Sequence, residues 1–242
     1  MHILKIRANS ALRFQLIDDA GESMPIIDLF AAGLEARGCS PNTIVSYLYD
    51  LRRFYEFLKE ANLTVDDFRP KHSIDFLTFL NAIKPKRRKV ALSPALVHQG
   101  LSPMTINRIL AAVSTFFDYL LLSDYAGVAS NPLDASADNG RVGKARRPSH
   151  RLNRLRRIHR IPRPLSDSHV EQLLEVMGRP RDRAMFLLML QGGLRPGEVL
   201  NLHLEDIEYG RRRVTVRYRI DHPKGVRTKS RTVQRTKFRT NV

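Results

Sequence analysis

Cysteine and long uncharged stretches are what this chain of 242 residues lacks most clearly. Its single cysteine, Cys39, provides neither a disulfide nor a thiolate metal cluster, and its histidines are scattered without the spacing of a zinc site. Every apolar stretch is interrupted by charge well before the roughly 20 residues that a bilayer span needs. Residues 1–20 mix charges among apolar residues, unlike a secretory signal. These absences predict a soluble cytoplasmic protein without redox, zinc or membrane chemistry.

Negative charge is also scarce. The chain has 41 Lys and Arg against 24 Asp and Glu, which gives a formal net charge of +17 and an isoelectric point near 10.6. The simplest partner for such a surplus is a polyanion, with nucleic acid favoured over an anionic membrane. Hydrophobic residues make up 43% of the chain, enough to bury a core, and its length suits two modest domains.

Helical periodicity dominates the first half of the chain and predicts one small bundle. Apolar residues recur at three-and-four spacing in residues 24–38, 40–63, 73–83 and 102–120. The second and fourth segments begin with the same pair, Ser40-Pro41 and Ser102-Pro103, an N-cap followed by the residue favoured at the first helical position. The predicted buried stripe of the third is Ile74, Leu77, Leu80 and Ile83. Before the bundle, residues 1–22 alternate loosely, as in a strand pair or an arm.

The second half begins with an arginine-rich stretch, 135–164, that is typical of an interdomain linker. After it we expect a helix capped by Ser166, and then an apolar helix over 181–193 that is enclosed by protein. The predicted buried stripe of the capped helix is Val170, Leu173 and Leu174. Residues 211–220 alternate as a strand, with Val214, Val216 and Tyr218 on one side, and residues 231–234 are the candidate returning strand. Helices followed by a hairpin indicate an α+β domain.

An arginine with an unusual setting stands out in GGLRPGEVLNLHLEDI, residues 192–207. Arg195 follows a double-glycine turn at the end of the apolar helix, so it emerges from the edge of a core. Attack on a phosphodiester builds negative charge on the non-bridging oxygens, and a guanidinium supplies permanent, bidentate donors for them. An arginine on a rigid turn is pre-positioned for that role. The competing interpretation is a salt bridge with Glu198 or Glu205.

The same segment resembles the first conserved box of the tyrosine recombinase, or phage integrase, family: a glycine turn, Leu and Arg, then Glu three residues on, a Leu-rich helix and an acidic turn. SPNTIVSYLYDLRRFYEFL and LSPMTINRILAAVSTFFDYLL resemble two helices of that family's core-binding domain. The resemblance extends from about Pro25 to Val233. It implies a mainly α fold, with an arm or short strands at 1–22, a SAM-like helical core-binding domain at 23–134, a basic linker at 135–164 and a partial α+β catalytic domain at 165–242.

The resemblance also implies roles for individual residues. Arg195 would contact the reacting phosphate, and a hairpin lysine would protonate the leaving 5′ oxygen as a general acid. Lys229 is our choice for that lysine, with Lys224 as the alternative. Glu198 and Asp206 are expected to brace the box through caps and ion pairs rather than to touch substrate. Strand exchange in the family proceeds without metal or ATP, so no cofactor is expected.

The remaining catalytic elements of the family, a His-x-x-Arg box and a nucleophilic tyrosine, have no counterpart between Lys229 and Val242. The sequence therefore predicts a mobile-element protein of DNA integration and recombination that is catalytically incomplete as this chain. The alternative is a non-catalytic regulator that competes with an intact enzyme at recombination sites. A general RNA-binding protein is less favoured, because paired aromatic motifs on strands are missing.

Duplex DNA is the predicted partner, in the cytoplasm at the nucleoid, together with further recombinase protomers. The resemblance points to polar residues on the two Ser-Pro helices, and charge points to a loop in the bundle and to the linker. The predicted DNA-contacting residues are Thr43, Asn107, Arg108, Lys86, Arg87, Arg88, Arg146, Arg147 and Arg154. For each of them a solvated surface is the competing interpretation.

Overall fold

The computed structural model describes residues 1–8, 11–84, 100–123, 125, 127–134, 155–156, 164–219 and 234–237. The chain divides into two compact units, Met1–His159 and Arg160–Val242. In the described ranges the first unit holds a β-hairpin and four helices, and the second holds three helices and a three-stranded sheet. This architecture confirms the predicted mainly α fold class. The finer four-part division of the chain stays a prediction.

The N-terminal residues form a strand pair, which is one of the two predicted alternatives. Strands β1 (His2–Ala8) and β2 (Ala11–Ile17) pair antiparallel, with His2 opposite Ile17. Leu16 and Ile17 are buried, and Leu16 belongs to the core of the helices that follow. The hairpin is therefore part of the first unit rather than a separate arm.

Four helices complete the first unit: α1 (Pro25–Ala36), α2 (Pro41–Glu60), α3 (His72–Ala82) and α4 (Pro103–Leu122). The Ser-Pro entry into α2 and α4 is confirmed in both cases. Ser40 Oγ accepts the backbone N–H of Thr43 at 3.2 Å, and Ser102 Oγ accepts that of Thr105 at 3.2 Å. Each proline occupies the first turn, where the helix needs no N–H from it.

Aromatic side chains fill the core of this unit. Phe54 is fully buried and meets Phe68, Phe76 and Phe117 edge to face, with ring centroids 5.0 to 5.7 Å apart. Helix α4 is long and apolar enough to cross a bilayer by length and composition. Ten of its residues are nevertheless buried, most of them in the core of this unit.

The predicted stripe of α3 was wrong in part. The helix buries Ser73, Phe76 and Leu80, whereas Ile74 is exposed. Phe76 lies one position before the predicted Leu77, and its ring packs against Phe54 and Phe57. The buried face of the helix is therefore the one that carries Phe76. The position of the largest side chain, rather than the count of aliphatic ones, decided the orientation of this short helix.

The second unit has helices α5 (Asp167–Val176), α6 (Pro180–Gly192) and α7 (Pro196–Leu200), and strands β3 (Ile207–Glu208), β4 (Arg213–Val216) and β5 (Gln234–Lys237). The strands form one antiparallel sheet in the order β3-β4-β5. Ser166 caps α5 as predicted, because its Oγ accepts the backbone N–H of His169. A returning strand is present, but it lies at Gln234–Lys237; of the predicted residues 231–234 it includes only Gln234, and 231–233 lie outside the described residues.

Two burial predictions for this unit were wrong. In the described residues neither α5 nor α6 buries a side chain, so Leu173 is exposed and the apolar α6 is not enclosed. The described core consists of Leu194, Val199, Val214 and Val216, and it covers one side of α6, where Met185, Leu188 and Met189 pack partly. Along β4, Val214, Thr215 and Val216 are all buried, and Tyr218 lies beyond the end of the strand and is exposed.

Candidate nucleic-acid interface

The turn that carries Arg195 has a defined geometry. Helix α6 ends in Gly193, whose φ of +65° lies in the left-handed region that favours glycine. Leu194 is buried and fixes the chain to the core of the second unit, and Pro196 starts α7. Arg195 stands between them as the N-cap residue of α7, with an extended backbone. The turn therefore presents Arg195 at the edge of a core, as the sequence predicts.

Glu198 holds this arginine at two points. Its Oε2 accepts the Arg195 backbone N–H at 2.9 Å, and its Oε1 accepts the guanidinium Nη1 at 2.9 Å. The Glu198 side chain is 1% exposed, whereas that of Arg195 is 57% exposed. The salt bridge and the phosphate role are thus compatible, because a buried carboxylate fixes one edge of an open guanidinium. The predicted bracing by Glu198 is confirmed.

Asp206 forms a second brace, on the turn Leu204–Asp206 that precedes β3. Both of its oxygens accept hydrogen bonds from Arg219, at 2.7 and 2.9 Å, and Oδ2 also accepts the His203 backbone N–H. Arg217 approaches Oδ1 to 3.2 Å. Burial raises the pKa of Asp206, but the bonds from Arg219 and His203 and the two positive charges outweigh it, and the pKa lies below its ordinary value.

This second brace fixes the start of the connection that leaves β4. Residues 217 and 219 lie just after the end of the strand, and both are attached to the same buried carboxylate. Lys224 and Lys229 belong to that connection in sequence, but they lie outside the described residues. The assignment of Lys229 as the hairpin lysine stays a prediction.

On the first unit, the structure gives Thr43 and Arg108 surface positions. Thr43 is exposed at the first turn of α2, and its hydroxyl shares a 2.9 Å hydrogen bond with Ser40 Oγ. The side chain of Arg108 is 52% exposed, and its Nη1 donates to Asp50 Oδ2 at 2.8 Å. Both residues are placed where a DNA contact is sterically open.

Asn107 is placed differently, with 6% of its surface exposed. Its Nδ2 donates to the Leu155 carbonyl at 2.8 Å, and its Oδ1 accepts the Leu155 backbone N–H at 2.8 Å. The side chain is buried, and one N–H and the oxygen of its amide are already bonded to the backbone of Leu155, so the amide is turned into the protein rather than toward a base or phosphate. This placement gives the predicted direct DNA contact of Asn107 no support.

Asp50 is the carboxylate that orients Arg108, and it is buried on α2. Burial raises the pKa of Asp50 to about 7, although the neighbouring Arg108 guanidinium acts in the opposite direction. A single exposed guanidinium compensates too little of the lost hydration. The charge of this pair is therefore sensitive to pH in the neutral range.

Six of the predicted DNA-contacting residues lie outside the described residues. They are Lys86, Arg87, Arg88, Arg146, Arg147 and Arg154. Sequence reasoning did not find the roles of Asp50, Leu155 and Arg219. Asp50 interrupts the apolar face of α2, which is the one sequence signal that a buried ion pair leaves. Leu155 and Arg219 carry no comparable signal, because their partners are distant in sequence.

Family comparisons match both units. Residues 27–123 match the profile described as phage integrase, N-terminal SAM-like domain, and residues 163–240 match the profile described as phage integrase family. Transposase A from transposon Tn554 of Staphylococcus aureus is 29% identical over 199 residues, which are 80% of this chain and 54% of that protein. Tyrosine recombinase XerD of Pseudomonas putida is 30% identical over 191 residues, 76% of this chain and 52% of that protein. The chain spans about half the length of the curated relatives it matches.

Solved structures with the same fold include the integrase of transposon Tn1549 in complex with a circular intermediate DNA, with a TM-score of 0.55 and 18% identity. The match covers 88% of this chain and 61% of the other. A second structure of that integrase, in complex with transposon right end DNA, gives a TM-score of 0.53 at 18% identity over 88% of this chain and 60% of the other. Since the two matched profiles together account for most of the sequence, the chain belongs to the phage integrase, or tyrosine recombinase, family.

Proposed function

We propose that this chain binds duplex DNA as part of a site-specific recombination system and directs Arg195 at a backbone phosphate. The observation that carries the proposal is the mounting of Arg195: a buried carboxylate holds one edge of its guanidinium while more than half of the side chain is exposed. Such a group is oriented before the phosphate arrives, so little ordering is needed on binding. The net charge of +17 favours the same partner.

Two further features support this assignment. The structures of the Tn1549 integrase hold DNA, and they share the fold of this chain. The arginines of the linker, including Arg146, Arg147 and Arg154, supply the type of charge that contacts a DNA backbone without reading its sequence. The proposal includes a cytoplasmic location at the nucleoid and further recombinase protomers on the same DNA.

The test measures the affinity of the chain for a duplex over a series of salt concentrations. Each phosphate contact contributes about 0.9 to the magnitude of the slope of log affinity against log salt. Arg195→Ala removes one such contact and should therefore reduce the magnitude of the slope by about 0.9. Arg195→Lys retains the charge but not the planar donor pair, so it should keep the slope and weaken binding. Arg181→Ala, which removes an exposed arginine on α6, is the matched control and should have a smaller effect.

Folding must be separated from binding in this experiment, because Arg195→Ala leaves Glu198 buried without its partner. The double variant Arg195→Ala/Glu198→Gln removes the uncompensated charge and should restore stability without restoring the slope. Absence of duplex binding by the unaltered chain at low salt would reject the proposed function. An unchanged slope in Arg195→Ala would remove this arginine from the interface.

A further inference from the structure

The buried amide of Asn107 joins two parts of the first unit that are far apart in sequence. Asn107 lies on α4, and its side chain makes two hydrogen bonds with the backbone of Leu155, one in each direction and both 2.8 Å long. The Leu155 side chain packs against the core of the same unit. We call this arrangement the Asn107–Leu155 clasp.

The clasp holds residues 155–156, which lie within a strongly basic stretch of the chain. From Asn139 to Ser166 the sequence contains ten Lys and Arg and no Asp or Glu, and Arg156 follows directly after Leu155. Like charges at this density repel one another. An apolar anchor and a bidentate amide at this position keep residues 155–156 on α4, with Arg156 exposed.

An arginine with a fixed guanidinium also lies next to the clasp in sequence. Arg108 follows Asn107 on α4, its side chain is exposed, and the buried Asp50 fixes its guanidinium. The surface around the clasp thus carries one arginine from the helix and one from the linker. In both cases a buried polar side chain of the first unit sets the position, Asp50 for Arg108 and Asn107 for the segment of Arg156.

We propose that the Asn107–Leu155 clasp mounts the basic linker on the first unit, so that Arg156 and Arg108 form one contact with the DNA phosphate backbone. Asn107 is then a positioning residue, which replaces its predicted role in direct DNA contact. The proposal rests on the proposed function, because it names the surface through which the first unit meets DNA. The other possible role of the clasp, completion of the core by Leu155 alone, is an outcome of the test.

The first measurement examines the clasp in the full chain without DNA. Hydrogen exchange at the Leu155 amide should be slow, because this N–H donates to Asn107. Asn107→Ala and Leu155→Ala should both accelerate it, the first by removing the acceptor and the second by removing the apolar anchor. Leu155→Ala leaves α4 unaltered, so it tests the clasp even where Asn107→Ala lowers stability. Fast exchange in the unaltered chain would overturn the proposal.

The second measurement is duplex affinity against salt. Opening the clasp lowers the fraction of molecules in which the segment is docked, so both variants should weaken binding by about fivefold to tenfold. Their salt slope should stay nearly unchanged, since the same cations still reach phosphate. Arg156→Ala and Arg108→Ala should instead each reduce the slope by about 0.9.

Asn131→Ala is the matched control. Asn131 is also buried, and its amide donates to Ser114 of α4 and accepts from Leu133; among the described residues it makes no bond to residues 155–156. Its loss should change stability without changing DNA affinity, because none of these described bonds involves the clasp. An equal loss of affinity in Asn131→Ala and Asn107→Ala, or unchanged affinity once exchange at Leu155 has become fast, would assign the clasp to core completion and overturn the proposal. Failure of the unaltered chain to bind duplex is a separate result, and it would reject the proposed function itself.

Discussion

Different interactions stabilise the inside of each of the two units. In the described residues, the first unit has one cluster of 23 buried hydrophobic residues, whereas the core of the second has 4. Around that smaller core lie buried carboxylates, Glu198 and Asp206, each bonded to arginine. The first unit is thus a scaffold whose shape depends on apolar packing, and the second is a site whose geometry depends on charge pairs.

The comparison extends to single residues, because each unit contains a buried aspartate that holds arginine. Burial raises the pKa of both Asp50 and Asp206, yet the net directions are opposite. Asp50 has one exposed guanidinium as its partner, and its pKa is raised to about 7. Asp206 has the guanidinium groups of Arg219 and Arg217 and a backbone N–H, and its pKa is lowered. Burial outweighs the single guanidinium at Asp50, whereas the several donors and positive charges at Asp206 outweigh burial.

The largest effect is expected from the aromatic core of the first unit. Phe54→Ala removes a fully buried ring that contacts three other phenylalanines, and it should lower the free energy of unfolding of this unit by about 4 kcal/mol. Chemical denaturation followed by circular dichroism measures the change. The effect should be independent of salt, since no charge is involved.

Ile74→Ala is the control for this prediction, because Ile74 is exposed on α3 of the same unit. Its substitution should change stability by less than about 0.5 kcal/mol. If both variants lose a similar free energy of unfolding, the described core does not dominate the stability of the first unit. The contrast between a unit stabilised by apolar packing and one stabilised by charge pairs would then be wrong.

The next effect is expected at the second brace. Asp206→Asn leaves the mostly buried Arg219 with only the exposed Glu205 as its anion and should destabilise the second unit by about 3 kcal/mol. Because the folded pKa of Asp206 lies below its ordinary value of 3.8, its stabilising contribution is fully present above about that pH and is lost as the pH falls through the folded pKa. The difference in the free energy of unfolding between the variant and the original chain should therefore shrink on acidification below pH 3.8. Urea titrations at neutral and acid pH measure this difference. An equal difference in unfolding free energy at the two pH values would contradict the prediction.

The sequence was sufficient to predict features that depend on local patterns. The Ser-Pro entries into α2 and α4 and the stripe of α4 from Ile106 to Leu120 are confirmed, because capping and helical periodicity involve residues within a few positions of one another. The turn that presents Arg195 was predictable for the same reason, since Gly193, Pro196 and Glu198 are its near neighbours.

Features that depend on distant partners were not predictable from those patterns. Burial on α5 and α6 was expected from their apolar residues, but periodicity identifies a face without identifying what covers it. Asn107 looked like a polar surface residue, and only the fold brings it to Leu155, 48 positions away. The clasp and the Asp206 brace share this property, because both join residues across a connection rather than within an element.

The smallest effect is expected at Asp50, and it distinguishes the two buried aspartates by sign. Because its folded pKa is about 7 and its ordinary value is 3.8, the folded protein binds this proton more tightly than the unfolded chain does. Stability linked to the protonated carboxyl is present below about pH 3.8 and is lost as the pH rises to about 7. Asp50→Asn keeps the shape of the protonated form, so its stability relative to the original chain should increase from pH 5 to pH 8, opposite to the acid trend at Asp206. Arg108→Ala removes the one group that lowers this pKa, and carbon NMR of the Asp50 carboxyl should then show a higher midpoint. A midpoint that stays the same or falls would mean that the Arg108 guanidinium does not stabilise the charged form of this aspartate, and would contradict the pairing seen in the structure.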